Sequence, residues 1–531
     1  MKKKFLLSFL LISGLSSAQV DSSNPFTPKV FSNSPNSSSL GQYNPYEIDL
    51  FSGQPNINFN FFTYHKDGYN LDLNLSYNLS SIKPDIPPTW TGVGWNLNVG
   101  GVITRTIKGG VDEILVSNRI PNNKFSYYDN YNKLASADWN STSKLIQFMN
   151  DNPSIGNGNP GVYPSPDEFN FSVNGMTGSF YKNHEGKWVV SSGDFADIQI
   201  EDELIANFRL KEDGLKSVNN KTYVIKRIIY GFTLTDTKGI KYIFGKTPES
   251  IEFSATPYES PDIEYRSDFV ANSWFLTKVI TPNNFQITYN YERENKAFFK
   301  VNTSFSAMYT KVGGIIKREQ KAAHLAERTF VTYLKNININ DLYSIDFFKS
   351  TANVEEYDYK KVNSDPWTSI FGYTSHYKVD IQSVKHFYKL DKIVINKGAS
   401  SEEINFSYLE NPAKKLFLTS FTQNDKKHTL EYFSTDLPQY NQLKNDHWGY
   451  FNNKSYSSLI PEDGSKFSAE QLKNDLPHIK ETDPSQLTKG VLKKIIFPTK
   501  GFSEFFYEPH DYSKIISVNT SNPVDFYLEH T

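Results

Sequence analysis

The side chains best equipped for chemistry are few and scattered. Asp446 and His447 are adjacent, which suits a general base and the carboxylate that orients it. Glu508, His510 and Asp511 place two carboxylates and an imidazole close together, a donor set that zinc or manganese accepts. Neither cluster carries further signal. No nucleophile can be placed beside Asp446-His447, and the residues that follow, Trp448, Gly449 and Tyr450, read as a structural aromatic turn. The Glu508 cluster sits at a hairpin end, where solvated polar residues are ordinary. The ten histidines include no His-Glu-x-x-His pattern. No Gly-x-Ser-x-Gly elbow and no Asp-x-Asp-x-Asp-Gly calcium loop occurs. Nothing selects a glycosidase pair among the 58 acidic residues. The cysteine count of 0 removes disulfides, thiolate metal sites and Cys nucleophiles. We therefore expect no catalytic, cofactor-binding or metal-binding residues, no cofactor, and no enzyme activity of the chain's own.

One segment stands out for a different reason. Trp90-Thr91-Gly92-Val93-Gly94-Trp95 and the following Asn96 to Gly101 are dense in glycine and tryptophan. A phosphate-cradling loop would need a Lys-Ser/Thr pair and a helix pattern after the glycines, and neither follows. The residues Trp90, Gly92, Gly94, Trp95, Gly100 and Gly101 read instead as a bulge or strand crossing. There glycine lets backbones approach closely beneath the indoles.

The elements around these motifs are predominantly strands. Ile57 to Phe61 and Leu71 to Leu75 alternate apolar and polar residues strictly, with the turn signal Asp67-Gly68 between them. Val102 to Ile107 continues in the same manner. Phe169 to Val173 and Gly178 to Tyr181 flank Asn174-Gly175, and His184-Glu185-Gly186 turns into Trp188-Val189-Val190. Phe232 to Leu234 and Tyr242 to Phe244 flank a turn carrying Asp236 and Gly239. Helical spacing is expected around Asp138 to Asn150 and over Lys317 to Arg328. The C-terminal half repeats a hairpin unit. Leu276-Thr-Lys-Val-Ile-Thr-Pro, ending in Tyr291-Glu292, aligns without a gap with Leu492-Lys-Lys-Ile-Ile-Phe-Pro, ending in Tyr507-Glu508. Looser copies begin at Leu334, Leu390 and Leu418 and end near Phe347, Tyr408 and Tyr432. A single hairpin is marginally stable in water, so these units must pair into a larger sheet.

Composition sets the frame. Of 531 residues 15% are aromatic, and aromatic side chains suit pleated, half-buried surfaces. The formal net charge of −2 gives no single-sign field, so nucleic acid and anionic membranes are not expected partners. Lys2 to Lys4, the apolar run Phe5 to Leu15, and Ser16 and Ala18 before Gln19 form a Sec-type signal peptide. No later run is long enough for a transmembrane helix. We divide the chain into a signal peptide (1–18), a Ser/Asn/Pro-rich arm (19–44), an N-terminal β-rich domain (45–250) and a β-hairpin repeat region (251–531). The expected fold is all-β and mostly antiparallel: a sandwich-like N-terminal portion, then stacked hairpins, with minor helices.

At these residues the chain resembles a known family, the N-terminal region of the large RHS or YD-repeat proteins of Bacteroidetes-type bacteria. The resemblance rests on Leu50 to Ile57, Gly92 to Arg105, Phe169 to Tyr181, Asp236 to Gly245, Asp446 to Asn452 and Pro498 to Glu508, and so spans nearly all of the mature chain. It implies an exported protein whose repeats build a β-shell, often around a variable C-terminal toxin. This sequence departs from the pattern: it has no run of Tyr-Asp-x-x-Gly-Arg repeats, and Tyr357-Asp358 is an isolated pair. No toxin residues are present to carry that activity over.

The expected function is a secreted or cell-surface scaffold without enzymatic activity; periplasmic and outer-membrane locations stay open. The hairpin run, stopping at Tyr507-Glu508, is expected to leave a strand edge that pairs with a second copy or with a downstream repeat shell or toxin chain. Two alternatives remain at this point. One is an outer-membrane β-barrel. The other is a carbohydrate-binding or carbohydrate-active module, marked by a concave aromatic row flanked by a carboxylate pair.

Overall fold

The computed structural model describes residues 28–29, 34–36, 54–108, 111–113, 126–135, 140–151, 165–191, 197–213, 220–255, 269–312, 315–357, 386–454 and 478–509. The expected signal peptide, most of the expected arm, His510 and Asp511 lie outside these residues.

The fold is mostly antiparallel β, built from two large sheets that share one strand. The first part of Val270–Ile280 pairs with Gly101–Lys108 on one side and Ile251–Ala255 on the other. Its last part pairs with Lys241–Gly245 and Gln286–Arg293. A strand that serves two sheets is covered on both faces, and here nearly every residue from Val270 to Val279 is buried. Trp274 sits at the crossing with no exposed surface, its indole N–H donating to the Ile229 carbonyl at 2.8 Å.

The first sheet runs outward from Gly101–Lys108 through Glu168–Val173, Met176–Lys182 and Trp188–Val190. From Ile251–Ala255 it runs the other way to Ile315–Phe330 and Phe298–Val312. The second sheet starts with Gln199–Glu212, Lys221–Thr235 and Lys241–Gly245. Beyond Gln286–Arg293 it adds hairpins in chain order: Thr332–Ile339 with Tyr343–Thr351, Tyr388–Lys397 with Ser400–Leu409, Phe417–Gln423 with Lys426–Tyr432, and Leu492–Ile496 with Phe502–Glu504. Each hairpin also pairs with the next, giving a continuous strip. Among the described residues the strip does not close on itself: Gln199–Glu212 and Phe502–Glu504 each pair on one side only.

A small third sheet, Ile57–Lys66, Tyr69–Tyr77 and Trp95–Asn98, packs on the strip. Phe61 meets the rings of Phe406 and Phe421 edge-on, at 5.9 and 5.4 Å between centroids. Its tight turn at Asp67-Gly68 has φ of 51° and 82°, as a two-residue hairpin loop matching strand twist requires. One apolar core results, running from Ile57 to Ile495 and drawn from both sides of residue 250.

Two helices are described, Tyr127–Ala135 and Thr142–Asp151. The second falls where helical spacing was expected; the first was not anticipated. The helix expected over Lys317 to Arg328 is a correction: this segment is part of the strand Ile315–Phe330, in unbroken antiparallel register with Phe298–Val312. Cross-strand pairing along its whole length outweighs a weak helical spacing.

Candidate functional site

The repeat has a physical basis in one hydrogen bond. The hydroxyl of the closing tyrosine donates to the carbonyl of the opening leucine: Tyr291 to Leu276 at 2.7 Å, Tyr408 to Leu390 at 2.8 Å, Tyr432 to Leu418 at 2.6 Å and Tyr507 to Leu492 at 3.0 Å. In the fifth copy the position opposite the next leucine, Leu390, holds Lys349, which has no hydroxyl; Phe347, two residues before it, stacks on Trp90, 6.3 Å between centroids. At Tyr291, Tyr408 and Tyr432 the strand carries a register shift. Each of these tyrosines stands opposite the leucine that opens the next unit, Leu334, Leu418 and Leu492. A bulge bends and twists the strand locally, which lets the ring reach back over its own hairpin. Burial holds the hydroxyl pKa of Tyr291, Tyr408, Tyr432 and Tyr507 above the usual tyrosine value, so these groups stay protonated donors.

The Gly-Trp block and the third sheet run along these corners. The Trp90 carbonyl accepts from the Leu390 N–H at 2.9 Å and from the Tyr408 hydroxyl at 3.3 Å. The Val93 N–H donates to the Leu416 carbonyl at 2.8 Å. Gly92, at φ 96°, lies so close to that segment that a Cβ would stand 3.0 Å from the Leu418 nitrogen and 3.1 Å from the Leu416 oxygen. The Trp95 indole N–H donates to the Tyr432 hydroxyl at 2.9 Å. The Tyr77 hydroxyl accepts from the Leu492 N–H at 2.7 Å, and the hydroxyls of Tyr69 and Tyr289 meet at 2.7 Å. Gly94, at φ 78°, leaves room for the Tyr77 ring. Gly100 lies against Tyr289, and Gly101 against the backbone of Ser172. Trp90 and Trp95 are both buried. Four of the five repeats are thus tied by hydrogen bonds to the Gly-Trp block and the third sheet.

Trp448, Gly449 and Tyr450 lie apart from this seam. Asp446 is buried, and one carboxylate oxygen accepts from the N–H groups of Trp448 and Tyr450, both at 2.9 Å. The other accepts from the Thr482 hydroxyl at 2.8 Å. Gly449 completes the turn at φ 88°. Asp236 with Gly239 builds the same turn, taking the N–H groups of Lys238 and Ile240. The Asp446 carboxylate is therefore engaged by its own loop, while His447 is exposed and its ring makes no hydrogen bond among the described residues. Trp448 is 63% exposed, and Tyr450 lies beneath the Lys83 ammonium, 4.8 Å from its ring centre. Among the described residues no group of three His, Asp or Glu is placed to hold a metal, and no helix is long and apolar enough to cross a membrane.

One polar cluster escaped the sequence reading. Arg105 is fully buried and donates to Asp167 at 2.7 Å and, from both terminal nitrogens, to Glu113 at 2.9 and 2.5 Å. Burial disfavours its charge, but the Glu113 and Asp167 carboxylates outweigh that and raise its pKa. Asp112, buried beside Asp167, is pushed well above the carboxylate range, by burial first and the Asp167 charge second. The alternation Ile103, Arg105, Ile107 held the signal, since it puts a guanidinium on the buried face of a strand.

No protein-family model matches the chain, and no curated protein matches it significantly by sequence. Among solved structures it resembles TcdB2-TccC3, with TM-score 0.28 and 10% identity, over 77% of this chain and 17% of that one. It also resembles the N-terminal domain of effector protein SpvB from Salmonella typhimurium strain LT2, with TM-score 0.27 and 12% identity, over 69% of this chain and 98% of that one. A third likeness is to the Tc holotoxin pore of Photorhabdus luminescens, with TM-score 0.26 and 11% identity, over 71% and 16%. No residue role transfers at these values.

Proposed function

We propose that this chain is a secreted or cell-surface scaffold of the RHS/YD-repeat kind, without enzymatic activity, whose hairpin strip is extended edge-on by further strands. The observation that carries this reading is the Tyr-to-Leu bond repeated in four of five hairpins that pair side by side along one strip. Such a corner, present in four of the five units, suits a sheet that grows one hairpin at a time. Its inner face is occupied by the third sheet and the Gly-Trp block rather than left as a cleft. The polar groups that drew attention in the sequence and that the structure describes are engaged in turns or exposed singly.

The test has two arms. Light scattering compares the mature chain with a version lacking residues 492–531; a strip extended through its last edge changes its association state when that hairpin is removed. A screen with glycans, peptides and esters is expected to show no turnover. An unchanged association state together with turnover overturns the proposal.

A further inference from the structure

The last described hairpin is an incomplete copy of the ones before it. At each of the four earlier junctions the inward residue two places before the one opposite the next leucine is covered by an apolar partner: Tyr289 by Ile337, Phe347 by Ile393, Phe406 by Phe421 and Leu430 by Ile495, and all eight are buried. Phe505, the equivalent residue before Tyr507, is only half-buried, and Phe506 beside it is 84% exposed. An aromatic outward residue in the strip has a lysine stem to lie under. Phe348 pairs with Lys392, whose ammonium stands 5.2 Å from its ring centre. Phe502 has Lys494 at 4.0 Å. Among the described residues Phe506 has no such cover.

The sequence beyond this edge supplies the missing side chains in order. Tyr512-Ser-Lys-Ile-Ile repeats the Lys-Ile-Ile of Leu492-Lys-Lys-Ile-Ile, and Asp525-Phe526-Tyr527 repeats the end of Phe505-Phe506-Tyr507. The spacing is also kept: fifteen residues separate Leu276 from Tyr291, Leu492 from Tyr507 and Tyr512 from Tyr527. Four residues, Glu508 to Asp511, lie between Tyr507 and Tyr512, a length that hairpin loops commonly use.

We propose that the open edge at Phe502–Tyr507 is the docking site for residues 512–527 of this same chain, a sixth copy of the repeat. The junction rule fixes the register. Tyr507 stands opposite Tyr512, the bulge skips Ser513, Phe506 meets Lys514 and Phe505 meets Ile515. Ile515 then covers Phe505 as Ile495 covers Leu430, and the Lys514 stem lies on Phe506 as Lys392 lies on Phe348. The inference rests on the strip reading above. It deepens that reading by naming the first occupant of the edge, so that any partner strand adds beyond residue 527.

The chain contains no cysteine, which makes cross-linking specific. The full-length double variant Phe506→Cys with Lys514→Cys places two thiols on one face at directly opposite positions, within disulfide reach. Mild oxidation is expected to remove nearly all free thiol from the monomer. Glu504→Cys with Ile516→Cys, on the same face, is expected to do likewise and guards against a fold lost to one substitution. Phe506→Cys with Ile515→Cys puts the thiols on opposite faces, and is expected to stay reduced. Thiols left free in both matched pairs, equal closure of the mismatched pair, or closure between two molecules overturns the inference. None of these outcomes depends on the association measured above, so failure of either idea is read separately.

Discussion

The hydroxyl of Tyr432 gives its proton to the Leu418 carbonyl, 2.6 Å away, and takes one from the indole of Trp95 at 2.9 Å. This one group joins a repeat to itself and to the inner segment. Tyr432→Phe therefore removes a bond and strands a buried indole N–H, at a cost of about 1–3 kcal/mol. Tyr507→Phe removes a single bond at a half-buried site, and about 0.5–1.5 kcal/mol is expected. Denaturant unfolding of the two variants should rank them in that order. Equal effects would mean that the Trp95 link contributes nothing.

The same corners set an alkaline limit. Burial raises the pKa of Tyr69, Tyr77, Tyr291, Tyr408, Tyr432 and Tyr507 above the ordinary value of 10.0. Above that pH the unfolded chain loses tyrosine protons that the folded chain keeps. The stability is fully present below it and falls as pH rises, because the native state binds more protons. Tyrosinate absorbance is expected to appear late and cooperatively with loss of β circular dichroism. A simple titration near pH 10 with the fold intact would refute this.

Gly92 is where the inner segment comes closest to the strip. Alanine there meets backbone atoms at 3.0 and 3.1 Å and must hold φ at 96°. Neither neighbour is a flexible side chain that can yield, so a loss of about 1–3 kcal/mol is expected from backbone strain alone. Trp95→Ala empties a fully buried site and should cost about 3–5 kcal/mol. Thermal melts that match the parent, with binding to some ligand lost, would make the block a binding site instead.

Arg105 holds two buried carboxylates, so removing it leaves them without their counter-charge. Arg105→Met is expected to destabilise by about 3–5 kcal/mol at neutral pH. Its deficit should shrink on acidification, as Asp167, held above the usual carboxylate range by burial, becomes neutral. Urea unfolding of parent and variant at pH 7 and pH 4 tests this. A deficit that does not depend on pH would show that packing, not charge, dominates the site.

Strand alternation, turn residues and the Leu-to-Tyr repeat were legible because each is written within a few neighbouring residues. The hairpin at Asn174-Gly175 and the strand Trp188–Val190 are examples. What could not be read was long-range. The sharing of Val270–Ile280 between two sheets depends on partners from Gly101 to Arg293. The Arg105 cluster needs Asp167, which is 62 residues away. The Lys317 to Arg328 segment misled because its partner strand, not its own pattern, decides its conformation. The role of the Gly-Trp block was visible only as glycine beside tryptophan; the hydroxyls of Tyr408 and Tyr432 and the backbone of Leu390 and Leu416 that it meets lie hundreds of residues downstream.

The Asp446 loop gives the sharpest distinction between structure and chemistry. Its carboxylate takes two backbone N–H groups and the Thr482 hydroxyl, so Asp446→Ala unmakes a buried turn and should cost about 1–3 kcal/mol. His447→Ala and Trp448→Ala alter exposed side chains and should stay within about 0.5 kcal/mol of the parent. An acid–base pair behaves oppositely: the histidine variant would lose function while stability stays unchanged. Measuring melting and turnover for all three variants separates the two cases. A stable His447→Ala chain that had lost a turnover present in the parent would assign Asp446 and His447 a catalytic role.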